Sequence, residues 1–291
     1  MSIDADVLLP WFDRYGRELP WREPECTAWG VLVSEIMLQQ TPVARVRPIW
    51  IEWLSRWPLP SSLAAASHGE VLRAWGKLGY PRRALRLHAA ATAIAGEHDD
   101  VVPSDVDTLL ALPGIGAYTA RAVATFAYGR RAPVVDTNVR RVVARAVHGA
   151  GDAGPPSTTR DLADVEAFLP AENARAARFS AALMELGALV CAARAPRCPE
   201  CPIADRCAWQ RAGKPAYAGP PKQVQRFAGT DRQVRGLLLD VLRGTDAPVD
   251  RPALDIVWSQ AGQRDRCLDS LLVDGLVEQT VDGRFALPGE H

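Results

Sequence analysis

Lysine is nearly absent from this chain of 291 residues. Its 34 basic residues are 31 arginines and only three lysines, Lys77, Lys214 and Lys222, so an amine nucleophile has few places to come from. An excess of either charge is lacking too, because 34 acidic residues balance the basic ones. That counts against a basic surface spread over the whole chain. A nucleic-acid face would have to be a local cluster, with backbone amides sharing the phosphate work. No apolar run reaches the roughly 18–20 residues that span a bilayer, and Met1-Ser2-Ile3-Asp4 does not open a signal peptide. The expectation is therefore a cytoplasmic protein with no membrane contact. The length suits one large domain or two smaller ones with ample core.

What is present centres on Leu109 to Arg141. A short apolar helical run ends at Pro113-Gly114-Ile115-Gly116, and a second helix follows through Ala117 to Ala127. Gly114 and Gly116 allow a sharp turn at a helix start, where unpaired amides suit a phosphate oxygen. Ile115 can pin the two helices together. A glycine turn alone is weak evidence, since many helical hairpins use one. Twenty residues past Gly116 comes Asp136, in V-V-D-T-N-V-R-R, placed as the N-cap of a further amphipathic helix.

Upstream, Val7 to Tyr15 reads as a short amphipathic helix. Arg17 to Arg22 (R-E-L-P-W-R) is either a packed loop or an aromatic face beside a cation. Ala28 to Gln39 reads as a largely buried helix on Val31, Leu32, Ile36 and Leu38. Glu35 lies inside that apolar run. It is either a core carboxylate paired with an arginine or an acid whose pKa burial would raise. Pro42 ends the helix after Gln39-Gln40-Thr41. Val43 to Trp57 and Glu70 to Trp75 are further helices. Trp50, Trp53 and Trp57, at three- and four-residue spacing, are expected in the core.

Cys191, Cys198, Cys201 and Cys207 give C-x6-C-x2-C-x5-C within seventeen residues. Four cysteines this close point to a metal rather than disulfides. Zinc is the generic alternative, although the spacing does not match common fingers or ribbons. Residues 191–214 also carry four arginines and Lys214, cations that a pinned loop could present to phosphates. Cys26 and Cys267 read as ordinary buried thiols.

L-P-G-I-G followed by V-D-T-N resembles the helix-hairpin-helix and aspartate of the endonuclease III superfamily of DNA glycosylases. W-x-x-L-V-S-E-I-M-L-Q-Q-T, from Trp29, is similar to the catalytic helix of the adenine-specific MutY branch. The cysteine spacing is that of the [4Fe–4S] cluster in the same proteins. The resemblance covers residues 1–214. It implies a mainly α, two-lobed fold and double-stranded DNA with a mispaired adenine as substrate, worked on by a monomer near the nucleoid. It implies Glu35 as the acid and Asp136 as the carboxylate that stabilises the sugar cation, with Tyr118 and Asn138 orienting them or water. Around the base and backbone it implies Arg17, Trp21, Arg22, Leu38, Gln39, Gln40, Thr41, Gly114, Gly116 and Glu185. Tyr80, in L-G-Y-P-R-R-A, matches the tyrosine that wedges into the duplex, although Pro81 replaces the family's second tyrosine. Arg82, Arg83 and Arg86 are expected near phosphates. Bifunctional relatives carry a nucleophilic lysine where this chain has Tyr118, which disfavours a lyase. Two rivals remain: a thymine or uracil mismatch glycosylase of the same fold, and a non-catalytic Fe–S DNA-binding regulator.

The remainder departs from that family. Residues 215–229 read as a linker. Thr230 to Arg243, Arg251 to Trp258 and Gln263 to Gly275 read as helices, and Leu276 to Leu287 as a hairpin on Asp282-Gly283. This is a small winged-helix-like domain over 230–291, in place of the family's larger MutT-like reader of 8-oxoguanine. Acidic residues outnumber basic ones beyond residue 221, so a packing or protein-partner role is expected at least as much as DNA contact. The preference for 8-oxoguanine should then be smaller than in full-length family members, and deletion of 222–291 should affect stability or partner binding more than that preference.

Overall fold

The computed structural model describes residues 3–220 and 227–290. The helices in chain order are α1 (Ala5–Tyr15), α2 (Ala28–Leu38), α3 (Val43–Arg56), α4 (Pro60–Ala64), α5 (His68–Trp75), α6 (Arg82–Glu97), α7 (Val106–Ala111) and α8 (Ala117–Tyr128). They continue with α9 (Thr137–Ala146), α10 (Thr158–Glu166), α11 (Asn173–Leu189), α12 (Ala208–Arg211), α13 (Asp231–Arg243), α14 (Arg251–Asp255) and α15 (Ala261–Val273). Local chemistry sets several of their ends. Ser67 and Glu70 close a reciprocal capping box on α5. Gly129, at φ +63°, ends α8 in the left-handed region. Among the described residues no helix is long and apolar enough to cross a membrane.

The residues divide into two compact units. The first is drawn from Met1–Val31, Pro103–Leu110 and Gly116–Pro221, the second from Leu32–Val102, Ala111–Ile115 and Lys222–His291. In the first, α1, α9 and α11 share a core of Leu8, Leu9, Val139, Val142, Phe179, Leu183 and Leu186. Ile203 and Cys207 join the same core, which fixes one end of the cysteine loop.

In the second unit the tryptophan spacing holds as a core feature. The Trp53 ring stands edge-on to Trp57 at 4.8 Å and to Trp75 at 5.4 Å. The sequence reading places no helix over 82–97, where α6 lies. Alanines give little periodic signal, yet Ala84, Ala90 and Ala91 are fully buried there with Leu87 and Ile94.

The C-terminal residues of this unit form three helices and a hairpin. Strands β1 (Glu278–Gln279) and β2 (Phe285–Ala286) pair antiparallel, and a bridge from Val249 to Phe285 adds the segment before α14 as a third edge. That is the winged-helix arrangement. The hairpin differs from expectation in its loop, which has three residues, Val281 to Gly283, between the paired Thr280 and Arg284. Gly283, at φ +85°, donates to the Thr280 carbonyl, and Thr280 donates to the Arg284 carbonyl. Helix α14 also stops earlier than read, because the Arg264 guanidinium takes the Asp255 and Trp258 carbonyls and closes the chain there. Residues 221–226 of the expected linker lie outside the described residues.

Candidate active site

In the first unit Asp136 is the N-cap of α9. Its carboxylate accepts from the Val139 N–H at 2.7 Å and from the Asn138 side-chain amide at 2.8 Å. Burial pushes its pKa above the ordinary aspartate value, and these two donors and nearby Arg141 work against that rise. Asn138 is itself held: its oxygen accepts from Arg141 at 2.8 Å. The same guanidinium reaches the Gly187 carbonyl of α11 at 2.7 Å and the Cys191 carbonyl at 2.7 Å. A Cβ on Gly187 would lie 2.9 Å from the Asn138 carbonyl oxygen, so glycine is what lets α11 approach so closely. A buried chain of bonds thus runs from Asp136 through Asn138 and Arg141 to the start of the cysteine loop.

One turn further along α9, Arg145 serves that loop directly. It donates to the Ala192 carbonyl at 2.8 Å, the Gly151 carbonyl at 2.8 Å and the Cys191 sulfur at 3.4 Å, and lies 4.8 Å from the Trp209 ring centroid. Cys191 and Cys207 are both fastened to Arg145, whose guanidinium donates to the Cys191 sulfur and whose carbonyl accepts from the Cys207 thiol at 3.6 Å. Burial pushes the Cys201 thiol up to about 12. Among the described residues no three His, Cys, Asp or Glu side chains converge tightly enough to hold a single metal ion. The donor set is nonetheless what a thiolate-bound cluster needs: four cysteines with a guanidinium donating to one of them.

Arg17 and Arg22 converge on Glu185 of α11. Arg17 grips it with Nε at 2.5 Å and Nη2 at 3.0 Å, and Arg22 adds a bond at 2.9 Å. Glu185 is 1 % exposed, so what it offers is the placement of these two arginines. Burial would raise its pKa, but the two guanidiniums more than reverse that and hold it below the usual range. Trp21 is buried beside them in a short 3-10 turn. Tyr118 is half-buried at the second position of α8, whose N-terminus at Gly116 has no side-chain cap.

In the second unit Glu35 is 6 % exposed, one turn before Gln39. Helix α2 leaves the core at its C-terminal end: Leu38 and Gln39 are half-buried and Gln40 is exposed. What fixes this end was missed in the sequence. Arg83 is not a phosphate contact. It is buried, and its Nη1 donates to the carbonyls of Ile36, Met37 and Gln39 at 2.9, 2.9 and 2.6 Å. Its Nη2 reaches the Thr41 hydroxyl at 3.0 Å and the Gly79 carbonyl at 2.9 Å. One guanidinium therefore ties the Gln39-Gln40-Thr41 turn to the Gly79-Tyr80 turn. Each turn holds a non-glycine residue in the left-handed region, Gln40 at φ +57° and Tyr80 at φ +48°. Arg83 also lies 5.0 Å from the Trp75 ring and 5.7 Å from that of Tyr80. Burial pushes its pKa down to about 10. Arg82 is tied to Asp274 at 2.7 Å. Gly114, at φ +75°, faces Arg86 so closely that a Cβ would meet the arginine's own Cβ at 2.7 Å.

Residues 33–165 match the model of the HhH-GPD superfamily base excision DNA repair protein. An adenine DNA glycosylase of Mycolicibacterium smegmatis is 66% identical over 291 residues, 100% of this chain and 98% of the relative. An adenine DNA glycosylase of Mycobacterium tuberculosis is 64% identical over 99% of this chain and 94% of its own. Both alignments take in nearly all of the chain, the C-terminal residues included. Among solved structures, a thermostable thymine-DNA glycosylase superposes with a TM-score of 0.64 at 25% identity, over 72% of this chain and 95% of that one.

Proposed function

We propose a reaction for this chain from one premise: it belongs to the adenine DNA glycosylases, within the HhH-GPD superfamily of base excision DNA repair proteins. Its activity is hydrolysis of the N-glycosidic bond of adenine in DNA. The preferred substrates are duplexes with adenine opposite 8-oxoguanine, guanine or cytosine. The observation that carries the reading is identity of 64–66% with adenine DNA glycosylases across the whole chain, with both carboxylates of the expected chemistry in place.

Glu35, buried in α2, gives its proton to adenine N7, so that the base leaves neutral when the C1′–N9 bond breaks. Asp136, ionised, faces the positive charge that develops on the sugar. Its bonds from Val139 and Asn138 hold one carboxylate orientation while that charge appears. Glu35, now a carboxylate, takes a proton from a water whose oxygen adds to C1′. The products are free adenine and an abasic site, and Glu35 recovers its proton. The target must leave the stack first, because the duplex hides the bond. Tyr80 is the wedge that takes its place, and Leu38, Gln39 and Gln40 surround the gap. Arg17 and Arg22, fixed by Glu185, and the amides after Gly116 hold the backbone.

The four thiols of the loop are the donors for a [4Fe–4S] cluster, which when bound pins the loop. Protein prepared without air from iron-replete cells should be brown and hold about four irons per chain. Stoichiometric zinc without iron in that preparation would contradict the assignment.

The test of the function is single-turnover base release on A·8-oxoguanine, A·G, A·C and T·G duplexes. Adenine should leave the first three, with thymine retained in the last. Strand nicking should be weak, since Tyr118 stands where a lyase carries lysine. Release of thymine in preference to adenine, or high-yield borohydride trapping of a protein–DNA adduct, would overturn the reading.

A further inference from the structure

The acidic excess of the C-terminal residues does not face outward as a whole. Asp274 is spent on Arg82 and Arg235, Asp240 on Lys77, and Glu290 on Arg73. Backbone bonds complete the fastening: the Gly69 N–H reaches the Pro288 carbonyl at 2.8 Å, and Arg243 donates to the Leu72 carbonyl at 3.0 Å. The winged-helix residues are thus seated on α5 and the start of α6, on both sides of Tyr80 in the sequence. At this seat Arg232, in the first turn of α13, donates to the Tyr80 hydroxyl at 2.9 Å. Its guanidinium carbon lies 5.9 Å from the Tyr80 ring centroid and 5.3 Å from that of Phe227.

Tyr80 is an unusual residue to leave accessible. It is 39 % exposed, its backbone is in the left-handed region, and its ring lies within 6 Å of two guanidiniums, Arg83 and Arg232. An aromatic held in a disfavoured backbone state and braced from two sides is a group kept in place for contact. Arg83 holds the backbone of its turn, and Arg232 holds its phenol.

We propose that Arg232 is a positioning residue for Tyr80, so that the C-terminal domain takes part in mismatch recognition by bracing the wedge. This rests on the adenine glycosylase reading. It goes beyond the expectation that residues 222–291 matter more for stability or partner binding than for the 8-oxoguanine preference. The domain needs no basic surface for this role, because one arginine acts through a tyrosine.

The test is a double-mutant cycle in the full-length protein. Single-turnover adenine release is measured at saturating enzyme on A·8-oxoguanine and A·G duplexes, with duplex affinity and melting temperature measured alongside. Arg232→Ala and Tyr80→Phe each remove one side of the same hydrogen bond. Each should slow release by roughly three- to tenfold on both duplexes. The double variant should be no slower than either single one. Arg232→Lys, which keeps a donor, should recover part of the rate. Melting temperature and affinity should stay near those of the unaltered protein. Additive losses, or a loss confined to affinity with a smaller salt slope, would make Arg232 an independent phosphate contact and overturn the proposal. A rate loss that tracks a fall in melting temperature would overturn it as well. An unaltered protein that releases no adenine would remove the glycosylase reading itself, and this inference with it.

Discussion

Glu35→Gln and Asp136→Asn should each abolish adenine release in single turnover while leaving duplex binding largely intact. For Glu35 the expected loss is about 10²–10⁴-fold, the usual contribution of a positioned general acid. Glutamine keeps the shape of the buried side chain but cannot give a proton to N7. For Asp136 asparagine keeps the oxygen that caps Val139 and gives up the second acceptor used by the Asn138 amide. Asparagine caps a helix as well as aspartate does, so α9 should start at the same residue and the fold should hold. What is lost is the charge facing the sugar cation, worth about 10²–10³-fold where such groups have been removed. Asp136→Ala is expected to behave differently. It should also lower stability by about 1 kcal/mol, the cost of a lost cap. Neither carboxylate is asked to hold the DNA backbone, so binding should persist. A near-normal release rate in Glu35→Gln would remove it as the acid.

The burial of Asp136 adds a pH signature. Its folded pKa is raised above the ordinary value, so the carboxyl takes up a proton earlier as pH falls. Once protonated it no longer opposes the sugar's positive charge. The acid limb of the rate profile should therefore sit above the ordinary aspartate pKa of about 3.9. The sign for stability is the reverse. A carboxyl with a raised folded pKa costs stability while ionised, and that cost is relieved as pH falls through the folded value. Loss of activity on the acid side should thus precede unfolding. Asn138→Ala removes one donor that favours the ionised form, and it should move the acid limb further up.

The burial of Glu35 inside an apolar helix and the cap position of Asp136 were legible in the sequence because each sits in a local pattern. The proposal for the cysteines comes from their spacing alone, since that spacing is itself the information. The roles of the arginines were not legible. Arg83 was expected near phosphates, whereas it, like Arg141 and Arg145, is spent mainly on carbonyl oxygens at helix ends and in the cysteine loop. A helix end leaves carbonyls without intrahelical donors, but which distant side chain supplies the donor depends on tertiary packing. The role of Gly187 was hidden likewise, because only the approach of Asn138 from another helix shows why a side chain is excluded. Charge counting suggested a packing or protein-partner role for the C-terminal residues but could not show where the charges pair. Asp240, Asp274 and Glu290 enter the sum as exposed negative charge, yet each is paired within the seat on α5 and α6.

Arg83 is where that illegible part has its largest consequence. Replacing it with methionine keeps much of the volume and removes every donor. The carbonyls of Ile36, Met37, Gln39 and Gly79 then lose the guanidinium they share in a buried place. Leaving a buried acceptor without its donor costs about 1–3 kcal/mol. Melting temperature should fall by roughly 2–4 °C for each kcal/mol in a chain of this size. Lysine is the more informative change. Its single ammonium can satisfy some carbonyls, but it cannot hold two turns with two ends of a planar fork. Arg83→Lys should therefore fold, and the two turns should come apart. Gln40 and Tyr80, which hold backbone states that disfavour side chains, would relax first. Adenine release should then slow by at least tenfold with Glu35 and Asp136 untouched, because Gln39, Gln40 and Tyr80 no longer share one anchor. Gln40→Gly provides the control. Glycine suits φ +57°, so this change alone should leave melting temperature unchanged or slightly raised. Melting curves and single-turnover rates on A·8-oxoguanine decide the matter, and Arg83→Lys matching the unaltered protein in both would show that the two turns need no common anchor.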